Sequence, residues 1–256
     1  MSTKSILRTS DPEVIFSVPV PQATNYYRPV SNRSLHQAIT GNLNAAGFNI
    51  EAEQYSLALN GQVCLGVMRV SKPSDYNSPM HRSVAFLNSY NKTKKVTFTA
   101  GAMVRVCSNG VFLSENQTYR RKHSGSVNED LTCNIMDIIE EMDGEYNRAM
   151  KLAEQLQQIE VNYDVASTFV GDAYLKNLLS PHMMSSFLES IATNKDFAML
   201  ENRSQDIQEL KGTAWQLYNN ATEALKRSVP SEYVKRHADL SNWFVEEMGL
   251  EPSLVL

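Results

Sequence analysis

The stretch NIEAEQYSLALNGQVCLGVMRV (residues 49–70) decides the fold of the first half of the chain. Its first part alternates partly between apolar and polar residues, which is typical of a half-buried strand. The pair Asn60-Gly61 follows, and this dipeptide is a strong signal for a two-residue hairpin turn. The returning segment, residues 62–70, is rich in Val and Leu. The stretch therefore predicts an antiparallel β-hairpin.

Further strands and one short helix surround this hairpin. Residues 83–90 and 95–99 predict a second strand pair, and residues 102–107 predict another strand. Residues 31–46 predict a helix that Gly47 would end. Residues 1–30 contain four prolines, which predict an irregular lead-in.

The pattern changes to a helical period after about residue 128. From Leu131 to Ile159, nine apolar residues recur at a mean spacing of 3.5, which is the period of one helical stripe. Gly144 is the weak point of that helix. Four more helices are predicted, over residues 164–179, 182–193, 204–227 and 231–248.

The sequence therefore predicts an α+β protein, with a strand-rich antiparallel N-terminal half followed by a helical C-terminal half. We place the boundary between a basic strand-rich region, residues 1–127, and an acidic helical region, residues 128–256. The two regions are expected to pack together as one unit.

The two halves carry opposite net charge. Residues 1–124 hold 14 Lys and Arg against 6 Asp and Glu, whereas residues 125–256 hold 10 against 22. The formal net charge of −4 therefore combines a balance of +8 with one of −12. A basic region beside an acidic one indicates a polyanionic partner, self-association, or both.

Composition restricts the class of protein. A hydrophobic content of 42% and a charged content of 20% argue against disorder over the whole length. No stretch approaches the roughly 18 consecutive apolar residues of a membrane-spanning helix, and no secretory signal is apparent. The three cysteines are odd in number and far apart, which favours a reducing compartment. We therefore expect a cytoplasmic protein with no membrane partner.

Residues 88–123 form the most interesting basic segment, with aromatic residues interleaved and Glu115 as the only acidic residue. Cations that neutralise phosphates, beside aromatic rings that stack on bases, are typical of a groove for single-stranded nucleic acid. The candidate phosphate contacts are Lys92, Lys94, Lys95, Arg105, Arg120, Arg121 and Lys122, and the candidate stacking residues are Tyr90 and Tyr119. The alternative is a solvated basic face over a sheet whose aromatic residues lie in the core.

Patterns for catalysis and metal binding are weak. Cys107 could be a nucleophile with His81 or His123 as its base, but a cysteine at a strand end is more often a small buried residue. The five histidines are scattered without metal-ligand spacing, and no glycine-rich phosphate loop is present. The four carboxylates between residues 140 and 145 favour a solvated helix face over a Mg²⁺ site. We therefore expect no catalytic residues, no metal and no cofactor.

Five segments carry a resemblance to a known family. They are YRPVSN (residues 27–32), FLNSYNKT (86–93), GAMVRVCSNG (101–110), RKH (121–123) and WQLYNNAT (215–222). In combination they resemble the phage- and plasmid-encoded family known as domain of unknown function 932. The resemblance implies a prophage or other mobile-element origin in a bacterial host cell, in a setting of replication, recombination and anti-restriction functions. It implies no established activity.

The short polar side chains within FLNSYNKT have two interpretations. Asn88, Ser89, Asn91 and Thr93 can organise a turn on their own backbone. They can equally contact phosphate or sugar.

The leading hypothesis is a non-enzymatic phage or prophage protein that binds single-stranded DNA and anneals it in recombination or replication. The alternative is a protein-interaction factor, such as a host-defence inhibitor or a structural subunit, that acts through the acidic helical half. A homo-oligomer and a host protein are further candidate partners. A third, weaker hypothesis is an enzyme that uses Cys107 or His123.

Overall fold

The computed structural model describes residues 6–75, 77–105, 110–113, 118–124, 127–193 and 212–255. A curled antiparallel sheet forms most of the N-terminal half, and helices form the C-terminal half. The predicted α+β class is therefore confirmed. Within these ranges, no helix is both long and apolar enough to cross a membrane.

Seven strands of the described chain form the main sheet, and every pairing is antiparallel. They are β1 (Leu7–Thr9), β2 (Asn49–Ala58), β3 (Val63–Ser71), β4 (Met80–Ser89), β5 (Val96–Val104), β6 (Gly110–Val111) and β7 (Thr118–Arg121). The spatial order is β1-β2-β3-β4-β5, and β6 and β7 both pair with β5 on the edge opposite β4. Two short strands, β8 (Glu160–Val161) and β9 (Gly212–Thr213), form a separate ladder.

Eight α-helices lie in the described residues. They are α1 (Pro12–Phe16), α2 (Asn32–Ala45), α3 (Val127–Glu140), α4 (Met142–Gln157), α5 (Tyr163–Leu175), α6 (Pro181–Thr193), α7 (Ala214–Leu225) and α8 (Tyr233–Glu247). A short 3-10 helix, Pro230–Glu232, directly precedes α8 and is named the Pro230 turn below.

The sheet buries residues on both faces. On its inner face, Val84 and Phe86 lie in a hydrophobic cluster with residues of α2 and α3. On its outer face, Leu65 and Leu87 lie in a second cluster with Tyr233 of α8. Successive residues of a strand point to opposite faces, so β4 is buried along its whole length. This two-sided burial explains why the sequence alternates only in part.

Hydrophobic clusters cross the predicted boundary between residues 1–127 and 128–256. Leu131 and Ile135 of α3 lie in the inner-face cluster. Met80 and Ala102 of the sheet lie in the cluster formed mainly by the C-terminal helices. Residues of both regions therefore share these two hydrophobic clusters.

Arg82 of β4 is one of the polar links between the two halves. Its guanidinium pairs with the carboxylate of Asp75, and its Nε donates to Oδ1 of Asp143 in α4 at 2.9 Å. The same guanidinium lies 4.2 Å from the ring centroid of Tyr146. Burial alone would raise the pKa of Asp75, but hydrogen bonds from Arg82 and from the Lys72 backbone lower it overall. The Arg82–Asp75 pair is therefore a buried, hydrogen-bonded ion pair, and the bond to Asp143 extends it to α4.

The loop of the first hairpin is longer than predicted. Ala58 pairs with Val63, so four residues rather than two connect β2 and β3. Leu59, Asn60 and Gly61 all adopt positive φ, at 54°, 57° and 84°. The Asn-Gly pair marks the position of the turn because both residues tolerate this conformation, but it does not fix the loop length.

Two predicted strands, residues 95–99 and 102–107, are one continuous strand, β5, as far as the described chain extends. Gly101 lies between the two predicted segments. In the structure a Cβ at this position would lie 2.5 Å from the ring of Phe112. The glycine therefore serves close packing inside the strand.

Other differences concern element boundaries. The predicted long helix is two helices, α3 and α4, which meet at Glu141 rather than at Gly144. The lead-in contains the short strand β1 and the helix α1, which Asp11 caps through the backbone N–H of Glu13. The helices predicted over residues 31–46, 164–179, 182–193 and 231–248 are confirmed, with ends shifted by a few residues. Residues 204–211 of the remaining predicted helix lie outside the described residues.

Candidate nucleic-acid interface

The pairing of β7 with β5 brings two basic segments together. Val96 lies opposite Arg121, so Lys95 and Lys122 leave the same end of the ladder side by side. Five of the cations here are exposed, and Arg121 is half-buried. We call this surface the basic corner, and it consists of Lys92, Lys94, Lys95, Arg120, Arg121 and Lys122.

The chain segments that form the basic corner are poor in acidic residues. The sequence from residue 77 to residue 114 contains no Asp or Glu, and neither does the segment 118–124. Within the described part of the chain, Lys94, Lys95 and Lys122 form no ion pair. Like charges held close together create a positive potential that attracts anions.

The β4–β5 connection is organised by the side chain of Asn91. Its Oδ1 accepts hydrogen bonds from the hydroxyls of Ser89 and Thr93, each at 2.6 Å, and from the backbone N–H of Thr93 at 3.1 Å. Lys92 adopts a positive φ of 63°. The polar side chains therefore organise the turn, as one interpretation of the sequence expected, and the turn fixes where the lysines leave the sheet.

A buried polar junction lies beneath this turn. Asn88 donates through Nδ2 to the carbonyl of Val30 at 2.9 Å and to Oδ1 of Asn32 at 2.8 Å. The backbone N–H of Asn32 donates to the hydroxyl of Tyr90 at 2.8 Å. The hydroxyl of Tyr27 donates to the Tyr90 carbonyl at 3.3 Å. These bonds tie the segment before α2 to the end of β4.

His123 completes the junction. Its Nδ1 accepts from the N–H of Val30 at 3.2 Å, and its carbonyl accepts from the N–H of Arg28 at 2.8 Å. Burial lowers the pKa of His123, and an accepting Nδ1 places the proton of the neutral ring on Nε2. His123 therefore joins β7 to the segment before α2.

Three of the five segments that carry the family resemblance meet at this junction, namely residues 27–32, 86–93 and 121–123. The family model described as domain of unknown function (DUF932) matches residues 22–242. The chain belongs to the DUF932 family. The resemblance found in the sequence is thereby confirmed. Comparison with curated proteins finds no significant match, and comparison with solved structures finds none either.

In this DUF932 protein the two predicted stacking residues are not open aromatic platforms. Tyr90 is 7% exposed and belongs to the buried junction, where burial raises its pKa. Tyr119 is half-buried and packs against the inner-face cluster. In this conformation the ring of Tyr90 is not available to a base.

Arg105 lies apart from the basic corner. It follows the other end of β5, and a strand of this length spans about 26 Å. Its Nε donates to the carbonyl of Ser78 at 2.7 Å, and its Nη2 donates to the carbonyl of Asp75 at 3.0 Å. Arg105 therefore holds the loop between β3 and β4.

Tyr26 is an exposed aromatic residue that the sequence pattern did not single out. It is 90% exposed. The neighbouring Tyr27 places its ring 4.5 Å from Nζ of Lys92, and Arg28 is bonded to the carbonyl of His123, which follows Lys122. Tyr26 is thus beside the basic corner. The run Tyr-Tyr-Arg at residues 26–28 combines aromatic and basic side chains and could have indicated a binding surface. It lies in the segment that the sequence predicts to be irregular.

A second set of cations was also missed. Lys226-Arg227 and Lys235-Arg236 flank the Pro230 turn on both sides. They lie in the half of the chain whose net charge is −12, so the overall charge of that half did not indicate a local basic segment. The signal was local: residues 226–236 hold four cations and one carboxylate.

Among the described residues, the geometry adds no support to the hypothesis of an enzyme that uses Cys107 or His123. Cys107 lies outside the described residues. His81 is 3% exposed, and its Nδ1 lies 3.2 Å from a carboxylate oxygen of Glu51. Burial lowers the pKa of His81, although the charge of Glu51 opposes the shift. In the described part of the chain, no group of three or more His, Cys, Asp or Glu side chains is arranged to hold a metal.

The expectation of a solvated carboxylate face on residues 140–145 was wrong for Glu145. The Glu145 side chain is 2% exposed and pairs with Arg148. Burial raises its pKa, and the Arg148 guanidinium opposes that shift. Asp143 is half-exposed but pairs with Arg82 and Lys72. These two carboxylates therefore have structural partners.

Proposed function

We propose that this chain binds single-stranded DNA through the basic corner and promotes annealing in phage or prophage recombination or replication. The observation that carries the proposal is the β5–β7 pairing, which gathers six cations from two separate segments onto one edge of the sheet. Phosphate neutralisation by such a cluster supplies sequence-independent affinity. The mobile-element setting is what the sequence resemblance implies, and the family membership supplies no activity.

Tyr26 favours single strands over duplexes in this proposal. An exposed aromatic ring stacks on a base that is not already stacked within a duplex. Tyr26 and the basic corner together offer one stacking surface and several phosphate contacts, which are the two components of strand binding without sequence preference.

The basic corner is tested with the variant Lys94→Ala/Lys95→Ala/Lys122→Ala. These side chains are exposed and form no ion pair within the described residues, so the variant is expected to fold. Binding to labelled oligo-dT is measured by fluorescence anisotropy at several salt concentrations. We expect weaker binding and a salt slope reduced by about 2, because each lost phosphate contact on a single strand lowers it by about 0.7.

The matched control is Arg33→Ala/Lys151→Ala/Lys176→Ala, which removes the same charge from ion pairs on α2, on α4 and just after α5. It should bind as the unmodified protein does. If both triple variants weaken binding equally, only net charge matters and the corner is not the site. The unmodified protein should also accelerate pairing of complementary oligonucleotides, and binding without acceleration would remove the annealing role.

The stacking role is tested separately with Tyr26→Ala. We expect strand binding to weaken by about 1–3 kcal/mol with an unchanged salt slope, because no phosphate contact is lost. Tyr26→Phe keeps the ring and should bind normally. An effect of equal size in both variants would show that the hydroxyl, rather than stacking, is responsible.

A further inference from the structure

Three adjoining clefts surround the Pro230 turn on the outer face of the sheet. Their volumes are about 390, 950 and 390 Å³, and Pro230 lines all three. The cleft nearest the basic corner is also lined by Lys94, Lys95 and Arg120. The clefts therefore begin at the basic corner and continue between the sheet and the start of α8.

The charged residues that line the clefts are nearly all basic. The N-terminal half contributes Arg8, Lys94, Lys95 and Arg120. The helical half contributes Lys226, Arg227, Lys235 and Arg236. Among the described lining residues the single carboxylate is Glu232, which pairs with Arg236. The acidic half of the chain thus turns a basic segment toward the sheet.

Lys226 pairs with Glu223 and Arg236 pairs with Glu232, whereas Lys235 and Arg227 are more open to a phosphate. Lys235 pairs with Asp239 one helical turn away, and both side chains are exposed. Such surface pairs contribute little and are screened by salt, so a phosphate can compete for the lysine. Within the described chain, Arg227 forms no ion pair.

The floor of the clefts is apolar. Leu65, Ala85 and Leu87 of the outer sheet face line the cleft next to the basic corner. Val63 and Met183 line the largest cleft. A single strand presents base faces beside its phosphates and matches an apolar floor with a cationic rim. A duplex presents mainly phosphates to such a surface.

We propose that a DNA single strand runs from the basic corner along the outer sheet face and around the Pro230 turn, where the cations of residues 226–236 bind its phosphates. The path, named the Pro230 path, rests on the proposed function and extends it. It makes the helical half a direct part of the binding site.

The test compares the variant Arg227→Ala/Lys235→Ala with the control Lys151→Ala/Lys176→Ala. The control removes one cation from α4 and one from the connection between α5 and α6. Labelled oligo-dT and a matched duplex are titrated with the full chain at several salt concentrations. We expect the first variant to bind oligo-dT more weakly, with a salt slope reduced by about 1.4. The second variant should bind as the unmodified protein does.

The outcomes separate the two proposals. If the basic-corner variant loses affinity but Arg227→Ala/Lys235→Ala does not, the Pro230 path is overturned and the proposed function stands. If the unmodified protein binds neither probe at low salt, both proposals fall. Equal losses of affinity for oligo-dT and for the duplex would overturn the single-strand assignment of the path.

Discussion

His237 shows how a single residue acquires properties that its sequence position does not reveal. It is fully buried in α8, and neither ring nitrogen has a hydrogen-bond partner within the described chain. The ring packs against Tyr233 and Phe112, with centroids 4.5 and 5.7 Å away. Burial, with a smaller effect of the positive charge of Lys226, lowers the pKa of His237 to about 3. The folded protein therefore holds a neutral imidazole.

We expect this histidine to make the fold sensitive to mild acid. In the unfolded chain its pKa is about 6.5, so the unfolded state binds more protons between about pH 6.5 and 3. Stability is therefore lost as the pH falls through that window, by about 2 kcal/mol at pH 5 relative to pH 7. His237→Phe should flatten this dependence in urea denaturation without loss at pH 7, because no hydrogen bond is removed.

The exposed His182 supplies the control for this experiment. His182→Gln should retain the pH dependence of the unmodified protein. An unchanged dependence in His237→Phe would mean that other groups, such as the buried His123, cause the acid sensitivity.

Elements whose signals are local were predictable from the sequence. The helix α2 begins after its cap Ser31 and is followed by Gly47 at a φ of 80°, and both residues mark these ends in the sequence. The turn around Asn91 was equally visible, because short polar side chains bond to their own backbone.

Element boundaries that depend on distant contacts were not predictable. Gly101 lies within β5 because Phe112 packs over it. The break between α3 and α4 falls at Glu141, although the apolar stripe runs on through Met142, which is fully buried. At Gly101 a tertiary contact overrides local propensity.

Arg82 acts on the scale of the whole molecule, because it joins the sheet to α4. Its side chain is 9% exposed, and that of Asp75 is 6% exposed. The lowered pKa of Asp75 means that its contribution to stability is fully present above about pH 3.9. That contribution is lost as the pH falls through the lower folded value.

We expect Arg82→Ala to lower the free energy of unfolding by about 3–5 kcal/mol, because it leaves the buried carboxylate of Asp75 without its charged partner. Chemical denaturation at neutral pH measures this loss. Lys72→Ala is the control, since it removes the partly exposed ion pair to Asp143 and should cost only about 1 kcal/mol. Equal losses in the two variants would contradict a special role for the buried pair.

The sequence by itself determined the α+β class, most of the elements, the opposite charge of the halves and the family. These properties depend on periodicity, turn chemistry and composition, all of which act over short stretches of chain. Only the tertiary structure decided which cations meet. Pairing of β7 with β5 assembled the basic corner, burial removed Tyr90 from the surface, and packing of α8 on the outer face brought residues 226–236 to it. Contacts between segments that are distant in sequence set these outcomes. A local sequence pattern does not show which distant segments will pack together.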